Sequence, residues 1–107
     1  MPAQISPTTE EALSILASAI RAARIQRRMT VRELAVRLGV SAPTVLKAER
    51  GDPGVAVGTV LEAAKLVGVP LFHDDADVRA RYRSQKQSEL AFLPATARPK
   101  RPVDDDF

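Results

Sequence analysis

The sequence predicts an all-α fold, a compact bundle of about five helices followed by a flexible C-terminal tail. Three observations lead there. Apolar residues recur at i, i+3, i+4 and i+7 in successive segments. Residues that start and stop helices frame those segments. The eight prolines gather toward the two ends and one turn, which leaves the middle of the chain free for helices. At 107 residues there is room for one domain and a tail. Apolar residues make up 45% but aromatics only 4%, so the core has to be built from Leu, Val, Ile and Ala.

Residues 1–8, polar and holding two prolines, read as a loose N-terminal arm ahead of a domain over 9–70. Thr8 or Thr9 is an N-cap, with Glu10 and Glu11 as first-turn acids. Leu13, Leu16, Ile20 and Ala23 follow at helical spacing, and Arg21, Arg24, Arg27 and Arg28 load the helix end where its dipole favours cations. Thr30 with Glu33 has the spacing of a capping box. Behind it Val31, Leu34, Ala35 and Leu38 form one apolar stripe, closed by Gly39. Ser41 caps a third helix over about 42 to 50, where Pro43 sits in the first turn and costs no intrahelical bond. Gly51-Asp52-Pro53-Gly54 is a turn. A fourth helix presents Val57, Val60, Leu61 and Ala64 on one face and stops at Gly68 and Pro70. Residues 71–93 read as a helical extension, with Asp74, Asp75 and Asp77 at its start and Arg79, Arg81, Arg83 and Lys86 toward its end. Residues 94–107, proline-rich and charged, read as a tail that is disordered or ordered by a partner.

Composition narrows the function classes. The net charge is +3 and the pI about 9.8. Between Arg21 and Arg50 eight cations face two acids, Glu33 and Glu49. Clustered positive charge of this kind suits a polyanion, nucleic acid above all; a solvated basic face is the other account. No cysteine is present, so no disulfide or thiolate metal site is expected. His73 is the only histidine. The run His73-Asp74-Asp75-Ala76-Asp77 lacks the glycine and distal glutamate of a calcium loop, and helix capping explains it. The Gly51–Gly54 turn lacks the lysine and hydroxyl residue of a phosphate loop. No catalytic constellation, metal or cofactor is expected, and the chain reads as no enzyme. No apolar run approaches the ~18 residues of a membrane span, and the N-terminal stretch lacks the basic start of a secretory signal. A cytoplasmic protein, associated with the nucleoid, is the expectation.

The segments 31–38 and 42–50 are too short to stand alone as helices, since about 12 to 15 residues are marginal in water. A tight Gly39-Val40-Ser41 link and the small Ala35 let them cross closely, which is the logic of a helix-turn-helix. At 100° per residue Val45 and Ala48 turn inward, while Pro43, Lys47 and Arg50 turn outward with Thr44 at the flank. Small residues at the tip admit base edges, a thymine methyl can meet an alanine, proline or threonine carbon there, and a lysine one turn behind can reach guanine O6 or N7. The exposed side of the third helix therefore reads as a DNA-reading face. Glu49 falls toward the inward side and needs a partner, for which Arg24 is the candidate.

The stretch Met29-Thr30-Val31-Arg32-Glu33-Leu34-Ala35 through Gly39-Val40-Ser41 to Glu49-Arg50-Gly51 resembles the helix-turn-helix of Xre-type regulators, the family of Cro and the lambdoid repressors. The resemblance covers roughly residues 16 to 70. It implies base-reading positions at Ala42, Pro43, Thr44 and Lys47, and phosphate positions at Thr30, Val31, Ser41 and Arg50. It also implies a structural pair of Arg24 with Glu49. Val31 departs from the glutamine common in that family. The Ala42-Pro43 pair replaces commoner polar readers, which leaves hydrogen-bond readout to Thr44 and Lys47. The implied function is a transcriptional repressor that binds double-stranded DNA as a homodimer on a two-fold operator. Arg98, Lys100 and Arg101 followed by Val103, Asp104, Asp105, Asp106 and Phe107 resemble the tails of antitoxins paired with HipA-type toxin kinases. Asp104, Asp105, Asp106 and Phe107 would then bind the toxin partner. A stand-alone repressor and a protein–protein adaptor with a basic surface remain alternatives.

Overall fold

The computed structural model describes residues 4–97 and 99, and its elements are five helices with no strand among the described residues. They are α1 (Pro7–Gln26), α2 (Val31–Leu38), α3 (Ala42–Ala48), α4 (Val57–Val67) and α5 (Ala76–Ala91). None of these helices is long and apolar enough to cross a membrane. The chain divides into two units, the first ending at Phe72 and the second starting at His73.

The first unit holds α1 to α4, with α2 packed on α3 and α4, and α1 packed on α4. Ile20, Leu34, Val45 and Val67 are its largest fully buried side chains. Each contributes roughly 1.5 to 3 kcal/mol by leaving water. Between them lie Ala17, Ala35, Ala48, Ala63 and Ala64, all buried. With methyl groups at so many contact points the helices approach closely, because interaxial distance follows the size of the side chains between them. The aliphatic core is therefore close-set rather than bulky.

Two expected details differ. Ser6, not Thr8 or Thr9, caps α1: its Oγ accepts the Thr9 N–H at 3.2 Å, and Pro7 takes the first helical position. Proline is pre-shaped for that place and has no N–H to lose there, so the helix starts two residues inside the stretch read as an arm. On α4 the buried face is Val60, Ala63, Ala64 and Val67, while Val57 is 73% exposed and Leu61 39%. That face is itself an i, i+3, i+4, i+7 set. The two alternative stripes overlap at Val60 and Ala64, and tertiary packing selects the one ending at Val67.

In the second unit Asp75 caps α5, its Oδ1 accepting the N–H groups of Asp77 at 2.7 Å and Val78 at 3.4 Å. His73 Nδ1 accepts the Asp75 N–H, and Arg79 Nη1 donates to the carbonyls of His73 and Asp74. No α5 side chain is buried, and Lys86 pairs with Glu89 while lying 5.2 Å from the Tyr82 ring centre. The N-terminal residues 1–3 and the tail residues Arg98 and 100–107, with Asp104, Asp105, Asp106 and Phe107, lie outside the described residues.

Candidate nucleic-acid interface

Two caps and one glycine set the angle between α2 and α3. Thr30 Oγ1 accepts the Glu33 N–H at 3.0 Å and donates to the Glu33 carboxylate at 3.2 Å. The glutamate of this capping box thus returns to the threonine hydroxyl. At the other end Gly39, in the left-handed region with φ 69°, lets its own N–H and that of Val40 turn back to the carbonyls of Val36 and Ala35. Ser41 follows at once as the α3 cap, so three residues reverse the chain.

Val45 and Ala48 are buried against α2, which turns Ala42, Pro43 and Lys47 to solvent and leaves Thr44 half-buried at the flank. The Lys47 ammonium has no ion pair or hydrogen bond among the described residues. Ser41 Oγ accepts the Thr44 N–H at 3.3 Å and lies 2.9 Å from Thr44 Oγ1. The helix ends at Ala48, with Glu49 as its C-cap, so Arg50 stands in the following turn, exposed. Thr30 and Ser41 are exposed at the starts of α2 and α3. Val31 is half-buried and packs against the core. Its side chain is engaged in that packing and is apolar, so the group it has to offer an anion is the backbone N–H of a first helical position.

Arg24 and Glu49 meet across the domain. Arg24 Nε donates to Glu49 Oε2 at 2.6 Å and Nη2 to Oε1 at 2.9 Å, a two-pronged contact. The third nitrogen, Nη1, donates to the Met29 carbonyl at 2.9 Å. The hydrogen bond to Glu49 raises the Arg24 pKa above its ordinary value, helped by the carboxylate's charge and opposed by burial. Arg24 thereby ties α1 to the end of α3 and to the turn leading into α2. The Met29 contact was not legible in the sequence, because a backbone carbonyl leaves no residue-type signal.

The other cations between residues 21 and 50, namely Arg21, Arg27, Arg28, Arg32, Arg37, Lys47 and Arg50, are exposed. Arg27 is a special case: its guanidinium lies over Gly68, where a Cβ would collide with it. It therefore sits at the C-terminal end of α4, whose partial negative charge suits it. An open cleft of about 840 Å³ borders Arg50 and is lined by Gln4, Ile5, Glu10, Gly51, Asp52 and Pro53 as well. Its charges are mixed, and it holds no nucleophile beside a base. What the α2–α3 pair offers chemically is an exposed small-residue tip, an exposed ammonium one turn behind and an arginine after the helix end.

Residues 15–78 match the family model for a helix-turn-helix domain. That span takes in most of α1, all of α2 to α4 and the first turn of α5, more than half of the chain. None of the curated proteins and none of the solved structures matches it.

Proposed function

The chain belongs to the helix-turn-helix domain family and is a DNA-binding regulator; from that premise we propose that it is a sequence-specific transcriptional repressor. Two copies bind a two-fold operator as a homodimer, their α3 helices about 34 Å apart in successive major grooves. A single seven-residue helix touches too few base pairs for a useful specificity ratio, which is why two are needed. Occupancy then blocks a promoter, that of the protein's own operon in the simplest case, at the nucleoid of the cytoplasm. Ala42, Pro43, Thr44 and Lys47 read bases, while Thr30, the Val31 N–H, Ser41 and Arg50 hold phosphates.

The supporting observation is the exposed side of α3. A lysine with no partner among the described residues, behind a tip of alanine and proline, is poor surface for solubility alone, where glutamate, lysine and glutamine would serve a helix better. The test is Lys47→Ala against a duplex selected from a random pool. Direct readout predicts a loss of about 1 to 3 kcal/mol, concentrated at one base position, with the salt dependence little changed. A uniform loss over all sequences would make Lys47 a phosphate contact instead. Unchanged sequence-specific binding would remove Lys47 from the reading face, whereas a pool that yields no preferred duplex would favour the adaptor reading.

The resemblance of the tail supports a finer proposal, that the repressor is the autoregulating antitoxin of a HipA-type toxin kinase. Asp104, Asp105, Asp106 and Phe107 would engage that kinase, acids against a basic rim and the aromatic ring in a pocket. Deleting residues 94–107 is expected to abolish co-purification of a kinase-sized partner from the native host while operator binding persists. If the full-length protein brings down one promoter and no kinase, it is a stand-alone repressor.

A further inference from the structure

Resting on the operator reading above, we propose that α3 recognises thymine 5-methyl groups by carbon contact through Ala42, Pro43 and the Thr44 methyl, and that its hydrogen-bonding readout is confined to Lys47. The residue types leave Thr44 either its methyl or its hydroxyl to offer; the hydrogen-bond geometry decides for the methyl.

Ala42 and Pro43 are exposed and carry no polar side-chain atom, and Pro43 has no N–H either. The Thr44 N–H is held by Ser41 Oγ at 3.3 Å. The Thr44 hydroxyl oxygen turns the same way, 2.9 Å from Ser41 Oγ. With Oγ1 drawn onto the cap, χ1 of a β-branched side chain is set, and the hydroxyl is aligned along the helix start. Three consecutive residues thus present carbon where a base edge would arrive. In the major groove the thymine C5-methyl is the one distinctly apolar feature; the remaining edge atoms are donors and acceptors. Those lose water against carbon and gain no partner, which costs affinity. An apolar tip therefore selects thymine positively and the polar edges of guanine and cytosine negatively. Lys47, one turn behind, carries an ammonium with no partner among the described residues and suits the paired O6 and N7 acceptors of a neighbouring guanine.

The experiment uses full-length protein and the best duplex from a random pool. Each thymine is replaced in turn by deoxyuridine, which removes one methyl group and leaves every hydrogen-bonding atom in place. Substitution under the tip of α3 is expected to weaken binding about three- to fivefold per methyl, the size of one buried carbon, and substitution elsewhere to change nothing. Thr44→Ser, which keeps the hydroxyl and loses the methyl, should fall as uracil does, and further than Thr44→Val, which keeps both branches and loses the hydroxyl. Indifference to uracil at every position overturns the inference while leaving the operator reading intact. So does the reverse order of the two Thr44 variants, each checked for folding by its thermal unfolding curve. A pool that yields no preferred duplex overturns the operator reading itself, and this inference with it.

Discussion

Arg24→Ala is expected to lower the unfolding free energy by about 3 to 5 kcal/mol, read as a shift of the urea midpoint at unchanged slope. Arg24 is 9% exposed and Glu49 8%, so the carboxylate left behind cannot turn to water without moving the end of α3. The Met29 carbonyl loses its donor in the same step. A buried charge without its partner costs several kcal/mol, whereas an intact buried pair is worth little net, because its attraction is offset by desolvation. Glu49→Ala should cost less than Arg24→Ala, since the guanidinium it strands still holds Met29. Arg24→Met combined with Glu49→Leu should recover most of the loss by replacing both charges with carbon of similar volume. Against a total of about 5 to 15 kcal/mol for a typical domain, a loss of that size removes about a fifth of the stability or more. Arg24→Ala costing under about 1 kcal/mol would show that the pair is hydrated and that something else fixes Glu49. The upward shift of Arg24 adds a pH statement. Stability tied to a raised pKa is fully present below the ordinary arginine range and is lost only above it, so this residue creates no alkaline transition at lower pH.

This pair also marks how far the sequence could be read. Glu49 falls on the inward side of α3 by helical periodicity, and a buried carboxylate demands a cation, so the argument from Val45 and Ala48 reaches Arg24 without coordinates. The α2 stripe was legible for the same reason: Thr30, Leu34, Ala35 and Gly39 combine a cap, one apolar face and a stop between residues 30 and 39, with nothing to compete. On α4 the pattern was degenerate. Val57, Val60, Leu61 and Ala64 form as good a stripe as Val60, Ala63, Ala64 and Val67, and only contact with α1 and α2 chooses between them. At Ser6 the competing signals were hydroxyls at Ser6, Thr8 and Thr9, and the proline that decides among them acts through backbone shape. The Ser41–Thr44 contact was beyond the sequence altogether, because the rotamer of a threonine is a local geometric outcome that composition does not encode.

Gly51→Ala should destabilise the domain by about 2 to 5 kcal/mol, and Gly39→Ala by about 1 to 2, although both glycines end a short segment in the left-handed region. Their φ angles are alike, 75° at Gly51 and 69° at Gly39. An L residue there costs about 1 to 2 kcal/mol for backbone conformation alone, and that cost is common to both. Their surroundings differ. A Cβ at Gly39 meets nothing within 4 Å, whereas at Gly51 it comes to 3.2 Å from the Leu13 backbone carbon and oxygen and 3.3 Å from the Ser14 nitrogen. Those are backbone atoms in the middle of α1, which cannot swing aside as a side-chain tip would. The turn after α3 must back away from α1, at a cost of about 1 to 3 kcal/mol for an added methyl in a tight contact. Moving that turn also moves Arg50 and the Glu49 that precedes it, so Gly51→Ala should weaken operator binding beyond what its lower stability explains, while Gly39→Asn, which tolerates the left-handed region, should not. Thermal unfolding of the three variants, with operator affinity measured well below each midpoint, separates the two effects. Equal losses at Gly39 and Gly51 would mean that the α1 contact is slack and that conformation alone sets the cost.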